Sequence, residues 1–173
     1  QPEYLSDVVT LTRQFQRAVR LDSDFGKLEA LQGYICQGTA LSVLEGTARQ
    51  IAQSPQRAFT WTGPFGGGKS SLAVALCSLV TPNKAVRQAA YDVLSLNPKS
   101  KSDITSAFSS TKDGWLVLPV VGHRGNVTDA IAACLDKRAG TKIQATTKAG
   151  SRQRTTAIFT RLTEQAEKRP DNG

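Results

Sequence analysis

Gly63-Pro64-Phe65-Gly66-Gly67-Gly68-Lys69-Ser70 is the stretch on which the reading of this chain turns. Its spacing is G-x-x-x-x-G-K-[S/T], which sets glycines, a lysine and a hydroxyl where a polyphosphate needs them. Several negative charges are held most closely by backbone N–H groups that point inward. Glycine lets the chain wrap that tightly, because it accepts positive φ and has no Cβ to meet the ligand. The loop then delivers the β-phosphate to the positive end of a helix. Lys69 offers a point charge to the β- and γ-phosphates, and the Ser70 hydroxyl is placed to ligand Mg²⁺. The candidate ligand-binding residues are therefore Gly63 to Ser70 together with Ser71, with Lys69 also the candidate catalytic cation.

The flanks agree with that reading. Ala58-Phe59-Thr60-Trp61-Thr62 has the aromatic and β-branched composition of a short strand. Ser70 to Val80 is an apolar run of helical character that Pro82 stops. Strand, glycine-rich loop and helix is the setting of the Walker A motif, or P-loop. Further along, Trp115-Leu116-Val117-Leu118-Pro119-Val120-Val121 reads as a second strand, nearly continuous in apolar residues as a strand covered on both faces would be. Pro119 points to an edge or a bulge there. Strands alternating with helices predict an α/β fold, a three-layer P-loop domain around a parallel sheet. Two strands are fewer than such a sheet needs, and the sheet reads as unfinished at Gly173.

Helices are expected over 5–20, from Val8, Leu11, Phe15, Ala18 and Val19, and over about 39–53, from Leu41, Leu44, Ala48 and Ile51. Asp22-Ser23-Asp24 is expected to break the first. Others follow Pro82, Ser102 and Asn126, the last two as caps. A final helix carries Ile158, Phe159, Leu162 and Ala166, before a turn at Pro170-Asp171-Asn172-Gly173. The expected division is an N-terminal helical segment, 1–55, and a partial P-loop core, 56–173.

The 173 residues suit one folded domain, and 39% hydrophobic with 21% charged residues excludes a disordered chain. No apolar run approaches the ~20 residues that span a bilayer. Three separated cysteines, Cys36, Cys77 and Cys134, lack metal-type spacing and predict buried thiols in a reduced, cytoplasmic setting. The chain begins at Gln1 and contains no methionine, and it reads as a piece of something larger.

Hydrolysis requires a second acidic centre at the end of an apolar strand, to hold Mg²⁺ and align water. Asp92, Asp103, Asp113, Asp129 and Asp136 lie on predicted helices or loops, and Glu164 and Glu167 on the last helix. A Walker B strand is not recognisable, so this stretch of chain is expected to bind nucleotide without turning it over. Gly122-His123-Arg124-Gly125 follows the second strand at the edge where open α/β sheets bind ligands. The net charge of +8 gathers late, in Lys137, Arg138, Lys142, Lys148, Arg152, Arg154, Arg161, Lys168 and Arg169, which allows contact with nucleic acid.

Arg57-Ala-Phe-Thr-Trp-Thr-Gly-Pro-Phe-Gly-Gly-Gly-Lys-Ser-Ser-Leu-Ala73 resembles the P-loop region of large multidomain ATPases of bacterial antiphage defence. These belong to the additional-strand class near the AAA+ and STAND ATPases. Leu116 to Gly125 is similar to their second-strand region, and the likeness spans about 28–125. It implies an ATP-binding domain of a Mg²⁺-dependent ATPase that drives a conformational or assembly change, acting as a homo-oligomer or with a defence-complex partner. A nucleic-acid motor, or a scaffold that nucleotide orders without hydrolysis, remain alternatives. In AAA+ and STAND relatives a short segment ahead of Walker A packs on the adenine. Leu31-Gln32-Gly33-Tyr34-Ile35 holds that place here, without the usual Gly-Arg-Glu, which makes Tyr34 a candidate for the base; a plain core turn fits the same residues.

Overall fold

A computed structural model describes residues 4, 18–36, 38–109, 114–122, 124–139 and 151–167. The described residues form a helical assembly. In chain order they are α1 (Leu21–Asp24), a 3-10 turn (Leu28–Ala30), α2 (Gly38–Gln53), α3 (Lys69–Leu79), α4 (Lys84–Val93), α5 (Asp103–Ala107), α6 (Val127–Ala139) and α7 (Ser151–Glu167). The expected three-layer α/β fold with a parallel sheet is corrected here: among the described residues there is no strand and no sheet.

The reason lies in what the two strand-like segments pair with. A strand exists only through ladder bonds to a neighbour, and neither Ala58–Thr62 nor Trp115–Val121 forms such a ladder among the described residues. Trp61 turns its ring toward α2 and its Nε1–H donates to Thr47 Oγ1 at 3.3 Å. The Gln56 side-chain amide donates to Ala58 O at 3.1 Å. The Trp115 N–H donates to Val80 O at 2.8 Å, just past the end of α3. Its ring sits 6.4 Å from that of Phe108, and the Cys134 thiol of α6 lies 3.6 Å from Pro119 O. The aromatic residues that suggested strands are engaged with α2, with Phe108 and with the residue that follows α3, not in a ladder.

The helices begin where local chemistry starts them. Asn83 Oδ1 accepts from the N–H groups of Ala85 and Val86, at 3.0 and 3.3 Å, and caps α4. Ser102 and Thr105 exchange side-chain and backbone bonds as a capping box at α5. Asn126 Oδ1 accepts from Thr128 N at 2.8 Å ahead of α6. The expected break at Asp22-Ser23-Asp24 is instead the short helix α1. Buried Asp24 accepts the Arg20 N–H at 2.9 Å, while its own N–H returns a bond to Arg20 O. Of the helix expected over 5–20, residues 5–17 lie outside the described residues, and 18–20 are not helical. The turn at 170–173 also lies outside them.

The core centres on α3, whose Leu72, Val74, Ala75 and Leu79 are buried. Around it gather Leu44 and Ala48 of α2, Val86 and Ala90 of α4, and Ile104 of α5, with Leu31, Leu94 and Phe108 from the connections. Helices on both sides of residue 55 share this one cluster. Leu135 and Ile158 are buried where α6 meets α7. A helix apolar around most of its girth belongs in an interior, and that burial anchors the end of α3 from which the glycine loop leaves. No helix of the described residues is long and apolar enough to cross a membrane.

Candidate phosphate-binding loop

The segment entering the loop is set by the end of α2. One guanidinium nitrogen of Arg57 reaches the carbonyls of Ile51, Ser54 and Gln56, at 3.3, 2.9 and 2.8 Å. Ile51 and Ser54 stand at the C-terminus of α2, where carbonyls lack intrahelical partners and a cation suits that end of the dipole, while Gln56 belongs to the turn that follows. The chain then runs without helix or strand to Thr62 and turns. Gly67 N–H closes the turn on Pro64 O at 3.3 Å.

Gly66 and Gly68 carry the reversal, with φ of 75° and 74°. A residue with a Cβ is strained there; Gly68 is a position at which the spacing calls for glycine, whereas Gly66 is one that it leaves open. Gly68 is the N-cap of α3 and provides no side-chain hydrogen bond to it. The first-turn N–H groups of α3 therefore face outward without a side-chain acceptor. A Cβ built on Gly66 or Gly68 would meet nothing within 4 Å. The open side of the loop is a cradle.

That cradle is part of a cavity of about 370 Å³ lined by Phe65, Gly66, Gly67, Gly68, Lys69, Ser70 and Ser71, and by Ala18 and Val19. Lys69 is its cation. The Lys69 ammonium donates to Gly63 O at 2.9 Å and to Pro64 O at 2.7 Å, which ties the head of α3 back to the start of the loop. Arg20, next to Val19, commits its guanidinium to Asp22 at 2.9 and 3.2 Å. That pairing holds the Asp22 carboxyl below its ordinary range and raises Arg20. Ser70 is exposed at the cavity and Phe65 stands wholly in solvent. Of the predicted loop residues, Phe65 to Ser71 line the cavity, while Gly63 and Pro64 meet it through their carbonyls' bonds to Lys69.

Tyr34 is not among the residues lining that cavity. It is half-buried against the core cluster, and its phenol is pushed up to about 12, first by burial and then by the charge and hydrogen bond of Cys36. Ala18 and Val19 line the cavity instead; their sequence marks them only as apolar points of a helical pattern, and no local pattern announces a contact with a loop so far along the chain.

The remaining candidates are distributed elsewhere. Asp92 and Asp103 are engaged on the surface, by Gln88 at 2.9 Å and by Arg49 at 3.8 Å. Asp113 and His123 lie outside the described residues, and Arg124 is exposed. Of the basic segment, Arg138 stacks over the Phe25 ring at 4.7 Å and Arg161 has a buried Nη1 with no hydrogen-bond partner among the described residues. Lys142, Lys148, Lys168 and Arg169 lie outside the described residues, while 152 and 154 fall on α7. Among the described residues no group of three or more His, Cys, Asp or Glu could hold a metal ion. Burial pushes the Cys77 thiol up to about 11, against the opposing charge of Arg138, as suits an inert interior thiol. Comparison with protein-family models, with curated proteins and with solved structures finds no match to this chain.

Proposed function

We propose that Gly63–Ser71 binds the phosphates of a nucleotide, with ATP and Mg²⁺ as the ligand. The observation that carries this reading is the backbone of the loop. Two glycines at positive φ open a cradle onto the N-terminus of an 11-residue helix that no side chain of its N-cap residue caps, with a lysine inside it. This form is carried by the loop and α3, without the strand that usually precedes it.

The residues fit the task. Backbone N–H groups of the loop and first turn point their partial positive charge at an anion. The Lys69 ammonium has three donors, two of which hold Gly63 O and Pro64 O, so it can bridge loop and phosphate. Mg²⁺, when bound with the nucleotide, neutralises phosphate charge. Magnesium is commonly held by one or two protein oxygens together with phosphate oxygens and waters, and the Ser70 hydroxyl is the protein oxygen offered here. Hydrolysis asks for a carboxylate to align water as well. No residue among those described in the cavity lining is acidic, so the reading is one of binding. In the setting that the resemblance implies, an ATPase of antiphage defence, such binding would couple to a conformational or assembly change.

Calorimetric titration with Mg-ATP tests this. Lys69→Ala is expected to weaken binding by about 1.5–3 kcal/mol, the range for a hydrogen bond to a charged group, or roughly 10- to 100-fold. Ser70→Ala is expected to remove most of the Mg²⁺ dependence and spare the metal-free affinity. Equal affinity of the Lys69 variant and the parent overturns the proposal.

A further inference from the structure

The cavity at the loop has two unlike kinds of lining. One is polar: the glycine backbone, Lys69, Ser70 and Ser71. The other is apolar: Ala18, Val19 and Phe65. A bare polyphosphate has no use for the apolar residues, since an anion gains nothing from apolar contact. The volume of about 370 Å³ also falls within the range of small-molecule sites.

We propose that Ala18, Val19 and Phe65 form the base subsite of this loop, which takes a nucleobase by stacking and apolar contact and discriminates weakly between bases. The inference rests on the loop's being a phosphate site. Phe65 is fully exposed, with a relative accessibility of 106%, so both faces of its ring are open to a flat partner. Val19 is partly buried against the core cluster, which makes that side of the wall rigid. Stacking is tolerant of base identity because every base has a π-face. Strong discrimination comes from side chains that hydrogen-bond the base edge, and then the wrong base leaves a buried polar group unpaired. None of these three side chains carries a donor or an acceptor, so adenine and guanine meet the same wall.

The experiment titrates the whole chain and its Phe65→Ala variant with Mg-ATP, Mg-GTP and Mg-tripolyphosphate. In the parent, ATP and GTP are expected within about fivefold of each other, and both about tenfold or more tighter than tripolyphosphate. Phe65→Ala is expected to lower the ATP-to-tripolyphosphate affinity ratio about tenfold. A second variant, Val19→Ser, is expected to lower the same ratio by a smaller factor, from the other side of the wall. Tripolyphosphate binding as tightly as ATP in the parent overturns the subsite and leaves the loop standing. An unchanged ratio in both variants, or a preference of 100-fold between ATP and GTP, overturns it too. Binding of none of the three overturns the loop reading and this one with it.

Discussion

Replacing Gly68 by alanine separates what the loop costs the fold from what it does for a ligand. Gly68 sits at φ 74° and ψ 6° at the head of α3. A residue with a Cβ in that left-handed conformation costs about 1–2 kcal/mol. Alanine also restricts the unfolded chain, which returns about 0.4–1 kcal/mol. No clash adds to the sum, because an added Cβ meets nothing within 4 Å. The net is a loss of about 1 kcal/mol, seen as a fall of roughly 2–4 °C in Tm for a chain of this size. Binding should suffer more. The methyl group enters the open side of the cradle and holds a phosphate away from the first-turn N–H groups. Losing one charge-assisted bond there costs about 1.5–3 kcal/mol, or about 10- to 100-fold in Kd. Urea unfolding and calorimetric titration of parent and variant measure the two terms side by side. A stability loss above about 3 kcal/mol would show that Gly68 is packed rather than open. Unchanged affinity in a folded variant would remove the cradle from the binding site.

Two further outcomes follow from other positions. Gly114→Ala is expected to destabilise by about 2–5 kcal/mol in urea, because its Cβ would lie 2.5 Å from the Pro82 backbone nitrogen and 2.9 Å from Val80 O at a φ of 67°; a loss below 1 kcal/mol contradicts that packing. Stability is also expected to fall as pH rises from about 10 to 12. Folded Tyr34 keeps its proton to about 12 while an unfolded tyrosine releases it near 10, so over that window the folded state binds more protons and alkali favours unfolding. Tyr34→Phe should flatten that part of the curve relative to the parent, and identical slopes would place Tyr34 in water.

The glycine loop was legible because its demands are local. Positive φ at Gly66 and Gly68, and the lysine and hydroxyl that follow, are properties of eight consecutive residues. The capping positions at Ser102 and Asn126 were legible for the same reason, since a cap is a bond between near neighbours. The apolar run after Lys69 announced a buried helix, and α3 lies at the centre of the core.

What the sequence could not decide is which distant segments meet. Ala58–Thr62 and Trp115–Val121 have the side chains of strands, yet strand is a relation between two backbones, and among the described residues these backbones pair with no strand. The same distinction governs the cavity at the loop: the loop itself is contiguous in sequence, whereas the lining joins Val19 to Phe65 across the intervening chain. Local conformation follows from the energetics of a few adjacent dihedrals and hydrogen bonds. Long-range proximity follows from how apolar faces are shared out among all the elements at once, and only the folded chain settles that division.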